Sequence, residues 1–323
     1  MTELTGAHAD YKDRRPILTV IGALSLLIGA GSAFLGPLEM YCFYLFSEGG
    51  RFHYEGFGFG SFMFGNIACQ IAGYYLIGAL FVALGYGHLA VRRWARTLAL
   101  AALGFWLVTG LPLSAGLLFI LFASKELSPV GALIAVILVG SSYLVLPGVL
   151  IRFYRSRDVQ LTFEARDPSP SWVERIPLPV LTLCSLYLLY IVFLHVPILF
   201  NGVFPLFGVL LSGMPGIFVS DVLIMCLACL VWGMLRLRKW AWWGSLAYFG
   251  ALTSSLMVTL PRFSLLDLFS KMHFPPREME FLQGLPFHGF HVALMLAIPL
   301  AVTLGLIIFS KRYFRGERPE SSV

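Results

Sequence analysis

The sequence predicts an all-α, polytopic transmembrane bundle of about eight helices. Three observations predict it: composition, the length of the apolar runs, and a hinge motif that occurs twice. Hydrophobic residues make up 58% of the 323 and charged residues only 12%, with a mean hydropathy of +0.82. A soluble domain carries roughly twice that charged fraction. Hiding so much apolar surface from water would need a core larger than a chain of this size folds around. Lipid is therefore the solvent. The hinge is Gly87-His-Leu-Ala-Val-Arg92-Arg-Trp94-Ala95, and it recurs as Gly233-Met-Leu-Arg-Leu-Arg238-Lys-Trp240-Ala241. A short cationic turn bearing Trp, set between two apolar runs of about twenty residues each, is a transmembrane helical hairpin.

Eight runs are long enough to span: 16–38, 66–91, 94–112, 130–151, 178–200, 216–236, 240–260 and 286–310. Each comes close to the roughly 20 residues that a hydrocarbon core of about 30 Å requires. They must be helical because a helix satisfies every backbone polar group internally. Met1 to Arg15 is polar and mixed in charge. The apolar run after it lacks a small-residue cleavage site and outlasts a signal peptide, so it reads as a retained first helix.

Placing the N-terminus inside sorts the cations, 18 to the inner side and 5 to the outer side. The outer five are Arg51, Lys125, Arg262, Lys271 and Arg277. This bias sets orientation, so the expected location is a cell membrane, with an inner membrane as the expected type and both termini cytoplasmic. The formal charge of +6 does not point to nucleic acid, because the cations sit in short clusters at helix ends and form no continuous face. Their expected partner is anionic headgroups.

The two hinges align at an offset of 146, which also superposes Leu100 on Leu246, Ala101 on Ala247 and Gly104 on Gly250. Pro16-Ile-Leu-Thr19 echoes Pro179-Val-Leu-Thr182. The expected organisation is a cytoplasmic tail (1–15), a four-helix unit (16–151), a cytoplasmic linker (152–177), a second four-helix unit (178–310) and a tail (311–323). Four helices return the chain to its starting side, so the units would be parallel repeats. Chance similarity within the narrow alphabet of membrane helices is the alternative. Within the linker, 157–164 alternates weakly and suggests a short strand. Asp167-Pro-Ser-Pro-Ser171 is expected to be extended, since each proline disfavours helix in its predecessor.

At the other end, the connections exceed what hairpin turns need. Gly49 to Gly65 interleaves Phe and Gly and reads as a cap over the bundle. Between 262 and 283, Leu265, Leu266, Phe269 and Met272 recur at helical spacing, as in a short amphipathic helix on the membrane, stopped by Pro275-Pro276. The segments 113–127 and 200–215 read either as re-entrant or surface pieces, or as helices extending past the bilayer. Trp94, Trp106, Trp172, Trp240, Trp242 and Trp243 are expected to act mainly as interfacial anchors, and His88 is expected among headgroups. Cys226 and Cys229 have CxxC spacing but sit in an apolar helix, which favours packing over redox or metal chemistry.

The remaining ionisable and amide groups gather near the outer boundary. Glu39, Gln70, His195, Asn201, Asp221, His288 and His291 are the candidate lining of an outward polar vestibule, because such groups normally avoid lipid. Separate solvation of each by interfacial water is the alternative. His288-Gly-Phe-His291 places two imidazoles on one helical face, near the positive end of a dipole that favours the neutral, metal-ligating form. Two histidines do not identify a metal. They are metal candidates only if a carboxylate or third imidazole joins them.

No cofactor is indicated, and the sequence does not decide whether the protein is an enzyme. Three functions follow in order: a transporter or ligand-binding membrane protein with an outward vestibule, a membrane enzyme with an outer His/carboxylate site, or a non-catalytic subunit or assembly factor of a membrane complex. The expected partners are the lipid bilayer and no nucleic acid. A small molecule or ion, a membrane-protein partner and a second copy stay open. The orientation has a direct check. With the five native cysteines removed, a single cysteine placed by Ser169→Cys should react with an impermeant thiol reagent only from the cytoplasmic side. External labelling would invert the topology.

Overall fold

The computed structural model describes residues 11–54, 58, 61–123, 128–274, 279 and 289–314. Over these residues the chain is a helical bundle with one small hairpin. Helix α1 (Arg15–Phe46) and α2 (Phe62–Leu89) form its most closely packed pair, and glycine spacing explains why. Gly22, Gly29 and Gly36 recur every seventh residue along the buried face of α1, and α2 sets buried Gly78 and Gly85 opposite them. A Cβ on Gly29 would stand 2.8 Å from the Val82 backbone nitrogen, and one on Gly85 2.8 Å from that of Leu26. The two backbones therefore touch. Lipid gives helices no hydrophobic reason to associate, so this approach supplies the van der Waals contact that pairs them, and the seven-residue repeat keeps it on one seam.

Each hinge closes its helix in the same way. At the end of α2 the N–H of Val91 donates to His88 O at 3.1 Å and that of Arg92 to Gly87 O at 2.7 Å. At the second hinge Leu237 donates to Met234 O at 2.9 Å and Arg238 to Gly233 O at 3.0 Å. These paired bonds form a Schellman closure. It puts Val91 at φ +47° and Leu237 at φ +52°, a left-handed conformation that a branched residue seldom takes. The next helix then folds straight back, so a Cβ on Gly87 would meet Ala95 Cβ at 2.5 Å, and one on Gly233 would meet that of Ala241 at 2.6 Å.

Helix α3 (Arg93–Ala123) continues through Pro112, so 113–123 is neither re-entrant nor a surface piece. The next rod comprises α4 (Pro129–Gly140), a π turn (Ser141–Val145) and α5 (Leu146–Arg155). The π turn lies just ahead of Pro147, whose missing N–H would break an α ladder; the widened turn absorbs it. The suggested strand at 157–164 is instead helix α6 (Arg157–Arg166), followed by a 3-10 turn (Trp172–Arg175) with a Ser171/Glu174 capping box. Tertiary contact decides this against the weak alternation, since Val159, Thr162 and Phe163 are buried on one helical face.

Helix α7 (Leu178–Leu199) leads into a hairpin, β1 (Phe204–Leu206) and β2 (Val209–Leu211). Its turn residues Phe207 and Gly208 have φ +41° and +93°, as a two-residue primed turn requires. Then come α8 (Met214–Leu235), α9 (Lys239–Thr259), the short amphipathic α10 (Leu265–Lys271) and α11 (Gly289–Ser310). The hairpin turn rests on the far end of α9: Phe207 N–H donates to Ser255 Oγ at 2.9 Å and Gly208 N–H to Thr259 Oγ1 at 2.7 Å. The start of α10 is set by Ser264 and Asp267, whose Oδ2 accepts from the Ser264 hydroxyl at 2.8 Å and backbone N–H at 2.9 Å. Those bonds hold the Asp267 carboxyl below its usual range.

Among the described residues, seven helical rods are long and apolar enough to cross a membrane: α1, α2, α3, α4–α5, α7, α8 and α11. The remaining expected span, α9, has 21 residues and falls short in apolarity alone. Its buried face includes Ser245, Ser255 and Thr259, two of which serve the hairpin. The largest core cluster centres on α7, α9 and α11, with Leu183, Tyr187, Phe249 and Ile307 buried. A second surrounds the first hinge, with Leu18, Ala95, Val159 and Phe163. Helices α3 and α7 join the two halves.

The glycine seam predicts a graded series. Gly29→Val or Gly85→Val should destabilise the protein by about 1–3 kcal/mol through overpacking, read as a lower melting temperature in detergent. Gly31→Val, where among the described residues nothing lies within 4 Å, should leave it unchanged.

Candidate functional site

The two ends of the bundle differ in how they treat polar groups. At the end away from the hinges lie the candidate vestibule residues. Glu39, on the last turns of α1, is half-buried and accepts a hydrogen bond from Tyr74 Oη at 3.3 Å. Gln70 lies one turn before Tyr74 and is also half-buried, a spacing that puts it on the same face of α2 as the Tyr74 that bonds Glu39. His195 is exposed on α7, its Nδ1 donating back to Ile191 O at 2.7 Å. Asn201 ends α7 with φ +54°, and its amide donates to Lys271 O at 2.9 Å, tying α7 to α10. Asp221 is exposed on α8, and His291 is half-buried on α11.

Among the described residues, no hydrogen bond or ion pair joins Glu39, Gln70, His195, Asn201 and Asp221 to one another. His288 lies outside the described residues, as do Glu55, Glu278, Glu280 and the Pro275-Pro276 stop. Among the described residues, no three His, Cys, Asp or Glu side chains are placed to hold a metal ion together.

The hinge end is organised differently, and here sequence reasoning missed the main feature. His88 was expected among headgroups; it is 1% exposed. A carbonyl can only accept, so in the neutral ring Nδ1 carries the proton and donates to Leu84 O at 2.6 Å. Nε2 is then the acceptor, and Tyr154 Oη donates to it at 2.6 Å. The ring packs edge-on against Tyr154 and Phe163. The bond links α2 to α5 from inside the core.

Around it the connection 152–177 is clasped to the first hinge. Arg93 donates through Nε and Nη2 to Glu174 Oε2 at 3.1 and 2.8 Å, and through Nη1 to Pro168 O at 3.2 Å. Its backbone N–H, at the start of α3, donates to Asp167 Oδ2 at 3.3 Å, and Glu164 lies 3.8 Å from Nη2. Arg96 Nε donates to Tyr154 O at 2.9 Å. Arg14, just ahead of α1, donates to Asp158 Oδ2 at 2.9 Å and by its backbone to Thr162 Oγ1 at 3.1 Å. The signal in the sequence was the charge pattern: Asp158, Glu164, Asp167 and Glu174 fall between the arginines of 152–175, an internal acidic complement to the first hinge.

Two concavities lie on α9. One of about 530 Å³ between α8 and α9 is lined by Met225, Cys226, Cys229, Trp240, Gly244 and Tyr248, and is apolar. Cys226 and Cys229 are exposed free thiols there. The other, of about 190 Å³, is lined by Lys239, Trp242, Trp243, Lys311 and Phe314. Trp242 is 5% exposed and its indole N–H donates to Ile307 O at 2.8 Å. It is a core residue and not an anchor.

Fold and apolar surface define a multi-pass integral membrane protein. The chain matches no known protein family, curated protein or solved structure.

The clasp generates a prediction. Tyr154→Phe leaves His88 Nε2 buried without a donor and should cost about 1–3 kcal/mol, measured by thermal unfolding. Arg93→Ala should leave the bundle folded while speeding tryptic cleavage at Arg157, Arg166 and Arg175; unchanged cleavage would show that the clasp does not hold this segment.

Proposed function

We propose that the protein is a non-catalytic subunit of a membrane complex, built from two parallel four-helix units with the hinge end in the cytoplasm. One comparison carries this reading, that of α3 with α9. On α3, Ala101, Gly104, Phe105 and Val108 form the stripe that receives α7. Ala101 is 2% exposed, and a Cβ on Gly104 would stand 2.7 Å from Thr182 Oγ1. The corresponding stripe on α9, at the same offset of 146, is Ala247, Gly250, Ala251 and Ser254. Ala247, Ala251 and Ser254 are exposed, and among the described residues nothing lies within 4 Å of a Cβ on Gly250.

Small residues on a lipid-facing helix face favour close helix packing. The first unit has its stripe covered by the first helix of the unit that follows, so the second unit's stripe would receive a transmembrane helix from another chain. The matching hinge closures support the duplication, and the cation bias supports the orientation.

A second reading, binding or transport of a small ligand from the outer side, is favoured by the Glu39–Tyr74 bond, one helical turn from Gln70. There a half-buried carboxylate in the outer part of α1 is kept polar company by α2. Such groups within a membrane commonly mark ligand paths.

Size measurement in mild detergent separates the two. The wild type should run as an assembly larger than its 35.8 kDa chain. Gly250→Leu should reduce it to the single chain with an unchanged melting temperature. A wild type that is already a single chain would sink the subunit reading. Stabilisation by a member of a panel of amines and divalent cations, lost in Glu39→Gln, would establish the second reading in its place.

A further inference from the structure

The two hinges share a backbone but not an electrostatic environment. Arg93 opens α3 and is surrounded by carboxylates: Glu174 at 2.8 Å, Glu164 at 3.8 Å, and Asp167 on its backbone N–H. Its counterpart at the offset of 146 is Lys239, which opens α9. Among the described residues, no carboxylate bonds to Arg236, Arg238, Lys239, Lys311 or Arg312. Arg236 instead stacks over Trp232 at 4.4 Å, and Lys311 Nζ stands 5.4 Å from the Trp242 ring.

Lys239 and Lys311 converge on the 190 Å³ pocket, whose other walls are Trp242, Trp243 and Phe314. The pocket is rigid on its floor. Trp242 is fixed by its hydrogen bond to Ile307 O at 2.8 Å, and Trp243 meets it edge-on with ring centroids 4.7 Å apart. The first turn of α9 adds to the positive potential, because Arg238 at its N-cap makes no side-chain capping bond and the helix dipole is positive there.

We propose that this pocket binds the phosphate of an anionic phospholipid. Two ammonium groups to which no described carboxylate bonds call for an anion, the part that carboxylates play internally at the first hinge. The exposed wall, Trp243, suits the boundary between headgroup and acyl chain, where indole rings reside. Its position at the hinge end, where α9 begins and α11 finishes, puts the site at headgroup depth. A phosphate presented by a lipid brings its acyl chains alongside the exposed face of Trp243, which a soluble anion does not. The inference stands apart from the subunit reading, because the pocket lies between α9 and α11 and not on the Gly250 stripe.

Native mass spectrometry of the full chain, titrated with phosphatidylglycerol or phosphatidylcholine, tests it. Phosphatidylglycerol should bind at least tenfold more tightly. Lys239→Ala/Lys311→Ala should lower its affinity by roughly tenfold or more, on the scale of one surface cation each, with phosphatidylcholine unaffected. Lys239→Arg/Lys311→Arg should retain the preference, and Lys311→Gln alone should show a partial loss if the double variant is unstable. Equal binding of the two lipids, or an unchanged preference in the Ala variants, overturns the site. Displacement of the lipid by millimolar inorganic phosphate would assign the pocket to a soluble anion. Phosphatidylglycerol binding that emerges only in Glu317→Gln/Glu320→Gln would assign it to the chain's own tail. Either result overturns the lipid.

Discussion

The architecture depends on how the chain reverses direction without leaving backbone groups unsatisfied near lipid. The last carbonyls of a helix lack intrahelical partners, and an open turn of four or five residues would expose them. At both hinges the reversal takes two hydrogen bonds and one left-handed residue, Val91 or Leu237. A left-handed branched residue costs roughly 1–2 kcal/mol. Two closing bonds at about 0.5–1.5 kcal/mol each are of the size needed to offset it. Glycine is not used at the left-handed position itself. It stands four residues earlier, at Gly87 and Gly233, where the returning helix leaves no room for a side chain. The hinge thus spends its glycine on helix contact and tolerates strain in the turn.

From that shared reversal the two halves diverge in charge. The first hinge is covered by its own chain. Helix α6 and the turn after it return four acidic side chains to the arginines of α3 and to Arg14, and Tyr154 closes on His88 beneath them. These ion pairs are partly exposed, and individually such pairs contribute little. Their effect is collective, because one folded segment fixes Arg14, Arg93 and Arg96 together. In the second half, Arg236 and Lys311 lie over aromatic rings instead.

Much of this was legible in the sequence, and the misses have definite causes. The hinges were readable because a glycine, a cation pair and a Trp at fixed spacing report chain reversal locally. The amphipathic α10 was readable for the same reason, its apolar residues and its cap lying within a few positions of one another. Helix α6 was not, because alternation over 157–164 mimics a strand and only contact with the α3 end selects a helix. Trp242 and His88 looked interfacial from position alone, yet Ile307 O and Tyr154 Oη, distant in sequence, bury them. The α1–α2 seam was present as glycines at every seventh position, a period easily lost among the 32 glycines of the chain. Of the described outer candidates, Glu39 bonds to Tyr74, one helical turn from Gln70. Sequence placed the whole set near one boundary, but rotation about each helix axis decides what meets, and periodicity in a uniformly apolar helix barely encodes rotation.

That last point bears on α9. A helix facing lipid on all exposed sides can be apolar throughout, whereas one with several protein neighbours can carry hydroxyls because partners satisfy them. Helix α9 contacts α8, α11 and the hairpin. Its Ser255 accepts from the Phe207 backbone and donates to Pro205 O at 2.9 Å, and Tyr248 donates to Leu223 O at 3.3 Å. Its lower apolarity follows from the neighbours it serves, and does not argue against its spanning the bundle from hinge to hairpin. Among the described residues Ser254 has no such hydrogen-bonded neighbour, and it shares a face with Gly250. A hydroxyl on that face, beside glycine and alanine, suits the contact with a helix of a separate chain that we propose.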